Sequence, residues 1–259
     1  MLERITSLQN PLVKSLSKLN TPATRRAEGL FLLEGRKLCE EALNNGLEIR
    51  YCFCGDDEAA LKLCDRCKNA QKFLVSDAII SKLSSAKTPQ RIVMVAVIPD
   101  ESNCEIEGDV VLALDGISDP ANLGSMLRTA EAFGVSHIVC SNQTVDLYST
   151  KVLRGAMGSS FRVHLHRGDL VSDLQALRKQ GYRIYSTALT GNDVLLHHVD
   201  FSSKCVIVIG NEGNGVSKEI LAISDQSILI PMAGKNESLN AAAATAVVLW
   251  QSFNCKGML

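Results

Sequence analysis

The chain has 259 residues, with 27 Lys+Arg against 28 Asp+Glu, 46% hydrophobic and 21% charged residues. This is globular composition, which excludes a disordered or fibrous chain, and the near-neutral balance excludes a basic field over the whole chain. No apolar run reaches the roughly 18 residues of a membrane span. The opening MLERITSLQN lacks the apolar core of a secretory signal, and nine cysteines in such a chain point to reduced thiols, so a cytoplasmic protein is expected.

Residues 1–29 predict a short helix from Pro11 to Leu19, with Leu12, Leu16 and Leu19 at helical spacing, and then a Thr-Pro turn. Arg4, Lys14, Lys18, Arg25 and Arg26 stand here against Glu3 alone before Glu28, which reads either as a phosphate-neutralising arm or as a solvated helix face. FLLEG then predicts a strand, RKLCEEALNNG a helix closed by Gly46, and IRYCFC a strand. DEAALKLCDRCKNA predicts a helix and IVMVAVIP a strand. The polar, acidic stretch PDESNCEIEGD is the linker candidate. The expected domains are 1–100, a smaller α/β domain, a linker at 101–108, and 109–259.

The second domain begins with the strand VVLAL (110–114) and a helix over NLGSMLRTAEAFG (122–134), ended by Gly134. HIVCS, FRVHLH and YRIYSTAL predict strands separated by the helices STKVLRGAMG and DLVSDLQALRKQG. CVIVIG (205–210) and ILI (228–230) follow as strands, and SLNAAAATAVVLWQSF (238–253) as the last helix. Continuous β-branched runs alternating with helices predict an α/β fold, a mostly parallel sheet with helices on both faces.

Three segments carry polar residues where backbone can approach a ligand. VIVIGNEGNG sets Gly210, Gly213 and Gly215 directly after a strand, but in neither the dinucleotide nor the P-loop spacing. In DPANLGSMLRTAEAFG, Asn122 and Arg128 are separated by about 600° of helix, so they share a face only if Asn122 lies in the turn before it, near an N-cap. In ILIPMAGKNESLN, Ser238 and Asn240 open the last helix, as caps or as part of a loop that grips a small ligand.

Together, in this order, N-L-G-S-M-L-R-T-A-E-A-F-G-V, V-I-V-I-G-N-E-G-N-G-V and I-L-I-P-M…E-S-L-N resemble the three signature motifs of the SpoU/TrmH family, over about residues 108–254. The first 100 residues are similar to the family's substrate-binding extension, including F-L-L-E-G-R-K-L-C-E-E-A-L. The resemblance implies a SPOUT-superfamily ribose 2′-O-methyltransferase of RNA. It implies a C-terminal trefoil knot, S-adenosylmethionine as cofactor, and an active site completed across a homodimer interface. Carried over by motif, the catalytic candidates are Arg128, Asn122, Glu212, Ser238 and Asn240. The cofactor candidates are Thr187, Ala188, Leu189, Gly210, Asn211, Glu212, Gly213, Ile230, Met232, Ser238 and Leu239. Two positions depart from the pattern: Ala156 stands where many members have serine, and alanines follow Asn240 where many have bulkier residues.

A ribose hydroxyl is a weak nucleophile facing an activated sulfonium methyl, so positioning supplies several kcal/mol and proton removal adds to it. Arginine has a pKa above about 12, which favours orienting the hydroxyl and stabilising the developing alkoxide, with the identity of the base left open. An added domain suits ribosomal RNA as substrate; transfer RNA and a non-catalytic knotted RNA-binding protein are the alternatives. Cys52, Cys54, Cys64 and Cys67 are read as buried thiols in preference to a zinc site, since one pair is CxC within an apolar strand. His164, His166, His197 and His198 lack ligand spacing, and Trp250 is read as core or dimer interface.

Overall fold

The computed structural model describes residues 2–100, 106, 108–234 and 238–256; the expected linker at 101–108 lies, except for 106 and 108, outside them. The chain forms two compact units: Met1–Asp100 with Asp146–Phe161, and Glu101–Val145 with Arg162–Leu259. Sequence patterning assigned 146–161 to the second domain; by packing it belongs with the first unit.

The first unit runs β1 (Leu2–Ile5), α1 (Pro11–Ser17), α2 (Pro22–Glu28), β2 (Leu30–Glu34), α3 (Arg36–Asn44), β3 (Ile49–Cys54), α4 (Glu58–Arg66), β4 (Gln71–Val75), α5 (Asp77–Leu83) and β5 (Ile92–Val97). Its sheet has the order β1-β4-β3-β5-β2, with β5 antiparallel to both neighbours and the other pairs parallel. Asn10 accepts from the Leu12 amide at 2.9 Å and so starts α1, ahead of Pro11 in the first turn. Alternate residues of β2 enter two cores. Phe31 and Leu33 pack with Cys39, Cys52 and Met94, and Leu30 and Leu32 pack with Val13, Leu16 and Phe73. The expected Thr-Pro turn is in fact the start of α2, whose PATRRAE has no apolar stripe. It is held by Arg25, 3% exposed, whose guanidinium pairs with Asp146 at 2.7 Å and donates to the Leu19 carbonyl at 2.5 Å. Arg25 is therefore not part of a phosphate-binding arm.

The remaining elements are β6 (Val110–Asp115), α6 (Pro120–Ala132), β7 (His137–Ser141), α7 (Thr150–Ala156, packed in the first unit), β8 (His164–Gly168), α8 (Leu170–Lys179), β9 (Arg183–Thr187), β10 (Val194–Leu195), β11 (Cys205–Gly210), α9 (Lys218–Ile223), β12 (Gln226–Leu229) and α10 (Ala241–Cys255). The sheet order is β10-β12-β9-β11-β6-β7-β8 and every recorded pairing is parallel. From β6 the chain builds outward through β7 and β8, then crosses to the other side for β9, β11 and β12. The direction of winding thus reverses between β6 and β11, which opens a crevice at their carboxyl ends, beside Asp115 and Gly210. Several expected boundaries shift: Phe161 falls in a single turn before β8, β9 ends at Thr187, Ile230 lies just beyond β12, and α10 begins at Ala241. No helix among the described residues is long and apolar enough to cross a membrane.

Candidate active site

At the carboxyl end of β6 the chain turns through Gly116 (φ +71°) into α6. Asp119, not Asn122, caps that helix: its Oδ1 accepts from the Ala121 amide at 2.7 Å, with Pro120 in the first turn. Asn122 is the third residue of the helix, near the N-cap as expected but inside the first turn and not in the turn before it. Its side chain turns back to the strand ends, where Nδ2 donates to Glu212 Oε1 at 2.9 Å. Glu212, in the loop after β11, also accepts from the Ser118 amide at 3.0 Å, the Ser118 hydroxyl at 2.8 Å and the Asp119 amide at 3.2 Å. Asn240 caps α10 through Oδ1, accepting from Ala242 N at 2.9 Å, while its Nδ2 donates to Asn122 Oδ1 at 2.9 Å. One chain of hydrogen bonds, Asn240 to Asn122 to Glu212, ties the three motif segments together.

Partial burial favours the neutral Glu212 carboxyl, but the donors from Asn122 and Ser118 outweigh it and pull the pKa from 4.5 to about 2. Glu212 is thus a fixed acceptor, a carboxylate that organises its neighbours. The same loop is shaped by Asn211. Its Nδ2 donates to the Gly116 carbonyl at 2.7 Å, and its Oδ1 accepts from the Gly213 and Asn214 amides at 2.9 and 3.0 Å. Gly210 is required sterically, since a Cβ there would lie 2.2 Å from the backbone of Gly215 and Val216.

Beside this network is a cavity of about 480 Å³. All eleven expected cofactor residues line it: Thr187, Ala188 and Leu189 after β9; Gly210, Asn211, Glu212 and Gly213 after β11; Ile230 and Met232 after β12; Ser238 and Leu239 before α10. Thr187 is anchored by donating to the Val208 carbonyl at 3.0 Å. Ile209, Val216 and Ile228 supply apolar wall, and Leu189 (65% exposed) and Leu239 (41%) leave free apolar side chains at the edge. Among the described lining residues Glu212 is the one charged group and there is no Lys, Arg or His. The Glu212 carboxylate and the apolar walls suit an amphipathic, cationic ligand, the chemistry of a sulfonium nucleoside.

Arg128 is placed apart. It does not line the cavity, lies exposed on α6 in line with Ala121 and Ser125, and makes no hydrogen bond or ion pair among the described residues. Of the five catalytic candidates, Asn122, Glu212 and Asn240 are joined directly, Ser238 shares the cavity, and Arg128 belongs to an outer face. Ser118 was not singled out by its sequence. A serine before Asp-Pro looks like any turn residue, and nothing local signals its two hydrogen bonds to Glu212.

The four core thiols Cys52, Cys54, Cys64 and Cys67 are at most 2% exposed. Among the described residues no group of three or more His, Cys, Asp or Glu side chains is arranged to hold a metal ion. His166 approaches Asp173 at 3.4 Å, and His137 stacks on His164 with centroids 4.7 Å apart.

Residues 109–250 match the SpoU rRNA Methylase family, and residues 10–94 match the MRM3-like substrate binding domain. The chain is 33% identical over 249 residues, 96% of its length and 98% of the relative's, to the 23S rRNA (guanosine(2553)-2′-O)-methyltransferase RlmP of Bacillus subtilis (strain 168). It is 27% identical, over 96% of its length and 91% of the relative's, to the 23S rRNA (uridine(2479)-2′-O)-methyltransferase of Streptomyces viridochromogenes. The AdoMet-bound rRNA methyltransferase from Sinorhizobium meliloti superposes with a TM-score of 0.89, covering 100% of this chain and 99% of that one at 29% identity.

Proposed function

The chain belongs to the SpoU rRNA methylase family, and on that premise we propose that it is an S-adenosylmethionine-dependent enzyme that methylates a ribose 2′-hydroxyl of ribosomal RNA. The observation that carries this reading is that residues from three loops line one cavity next to the Asn240–Asn122–Glu212 network.

S-adenosylmethionine, when bound, supplies a sulfonium methyl that needs no further activation. The residues of this chain then have three tasks. Backbone groups around Thr187–Leu189, Gly210–Gly213 and Ile230–Met232 would hold the nucleoside, and the exposed Leu189 and Leu239 would offer it apolar contacts. Glu212, fixed by Ser118 and Asn122, keeps the two loops at one spacing, and Asn240 and Ser238 orient polar groups near the reacting centre. Arg128 orients the ribose hydroxyl and stabilises the developing alkoxide. Because Arg128 lies outside its own cavity, it serves the site of a second copy in a homodimer. Supporting this, α10 presents an exposed line of Ala243, Val247 and Trp250, with Trp250 49% exposed and its ring 5.8 Å from Phe133, the C-cap of α6.

The same reading includes a trefoil knot in the segment that ends in α10, an RNA-binding role for residues 1–100, catalysis by 109–259, and a cytoplasmic location. The convergence of the loops after β9, β11 and β12 on one cavity supports the knot. The test is transfer of tritiated methyl from the cofactor to ribosomal and transfer RNA fractions, followed by mapping of the modified nucleotide. Label confined to one 2′-O-methylated position in ribosomal RNA is expected; label in transfer RNA alone, or in a base, refutes the assignment.

A further inference from the structure

The first unit contains a second cavity, of about 210 Å³, remote in chemistry from methyl transfer. Its floor is formed by the buried Glu34, Leu38 and Leu153, and its exposed rim by Lys37, Thr88, Gln90 and Met157. Glu34, at the end of β2, is 7% exposed. Its Oε1 accepts from the Ser85 amide at 2.7 Å and its Oε2 from the Ser85 hydroxyl at 3.3 Å, with Arg154 Nη1 at 3.6 Å. A carboxylate oxygen accepts more than one donor, so both oxygens retain acceptor capacity in a pocket whose lining also includes Leu38, Leu153, Glu41 and Arg154.

The backbone around this cavity is unusual. Met157 is the one non-glycine residue with a left-handed backbone (φ +54°) among the described residues, and it holds its side chain 42% exposed at the rim. It is the left-handed C-cap that ends α7. At Gly35 (φ +89°) a Cβ would meet Gln90 Oε1 at 3.1 Å, so the glycine keeps the rim open beside that amide. Lys37 on the rim, and Lys87 between the lining residues Ala86 and Thr88, are exposed and make no ion pair among the described residues.

We propose that this cavity receives one unpaired guanine base of the RNA substrate, an inference that rests on the RNA-methylating function above. The volume lies below the roughly 300–1,000 Å³ of clefts for drug-sized ligands and suits a single ring system. Leu38 and Leu153 meet the ring faces, with the Met157 sulfur as a polarisable contact. Guanine is the base that presents two adjacent donors, the ring N1–H and the amino N2–H, and these match the Glu34 carboxylate as charge-assisted hydrogen bonds. Lys37 and Lys87 meet the flanking phosphates. Splayed-out bases in single-stranded loops are how proteins read RNA sequence, since the grooves of A-form RNA hide most of it.

The test uses the full chain with ¹³C-labelled methionine methyl groups. Guanosine 5′-monophosphate is expected to shift the Met157 methyl and leave Met232, in the cofactor cavity, unmoved, while S-adenosylhomocysteine does the reverse. Uridine 5′-monophosphate, with a single ring donor between two acceptors, is expected to leave Met157 in place. In methylation assays Glu34→Gln, which keeps the shape but places a donor against donors, is expected to raise the RNA KM about tenfold or more with kcat within twofold. Lys37→Ala is expected to raise KM severalfold at physiological salt. A Met157 methyl that stays still at millimolar guanosine 5′-monophosphate, an equal response to all four monophosphates, or an unchanged KM in both variants overturns the proposal. A Met232 methyl unmoved by S-adenosylhomocysteine, with no methyl transfer, instead overturns the functional reading beneath it.

Discussion

Glu212 shows how a charged residue can be indispensable without reacting. Its carboxyl is depressed to about 2, so the hydrogen-bonded, ionised form contributes stability that is full above the ordinary carboxylate pKa and is lost progressively as pH falls from there through about 2. Cofactor affinity is therefore expected to be independent of Glu212 titration between pH 4.5 and 8. A binding isotherm with an inflection at pH 4–5 that disappears in Glu212→Gln would contradict this. Arg128 stands at the opposite extreme, exposed and without a partner among the described residues. If it stabilises charge that arises only in the transition state, Arg128→Ala costs on the order of 10² in single-turnover rate and spares cofactor affinity. Arg128→Lys recovers little, because an ammonium lacks the planar fork of donors. A solvated helix arginine would leave both variants at wild-type rates.

Elements differ in how openly their sequences declare them. The strands VVLAL, HIVCS and CVIVIG are legible because a parallel strand covered on both faces reads as a continuous apolar run. β1 (LERI) and β4 (QKFLV) have no run of that length; β1 is found only through its pairing with β4, and β4 through its pairing with β1 and β3. α2 is the instructive case, since its place depends on a residue far along the chain. The Arg25–Asp146 ion pair has side-chain exposures of 4% and 12%, and removing one partner of so buried a pair leaves an uncompensated charge. Asp146→Ala is expected to destabilise the first unit by about 3 kcal/mol. A denaturation midpoint within error of wild type would show that the pair is worth little. The site divides in the same way: residues within the motifs are legible by resemblance, whereas Ser118 is visible only once β6 and β11 lie side by side. The shift of the α6 cap to Asp119 has a local cause, because Asp-Pro supplies both the acceptor and the first-turn proline.

At the scale of the whole molecule, the placement of Arg128 converts a question of chemistry into one of assembly. On the reading proposed above, an arginine on the exposed face of α6 and a cavity lined by Asn240 of a second copy form one active site. Light scattering is expected to give twice the 28.0 kDa chain mass, and Trp250→Asp, placing a charge in the exposed apolar line of α10, is expected to return it to one. The sharper test mixes two inactive variants. In a heterodimer of Arg128→Ala with Asn240→Ala, if each site uses its own chain's arginine, both sites are broken, one by each substitution. A site that borrows the arginine is intact once: the cavity of the Arg128→Ala chain keeps its Asn240 and receives an unaltered Arg128 from the other. Random exchange makes about half of the dimers mixed, each with one working site of two, so about a quarter of wild-type activity is expected after mixing and none before. Activity that stays absent after exchange is verified by mass would return Arg128 to its own chain's site or remove it from catalysis.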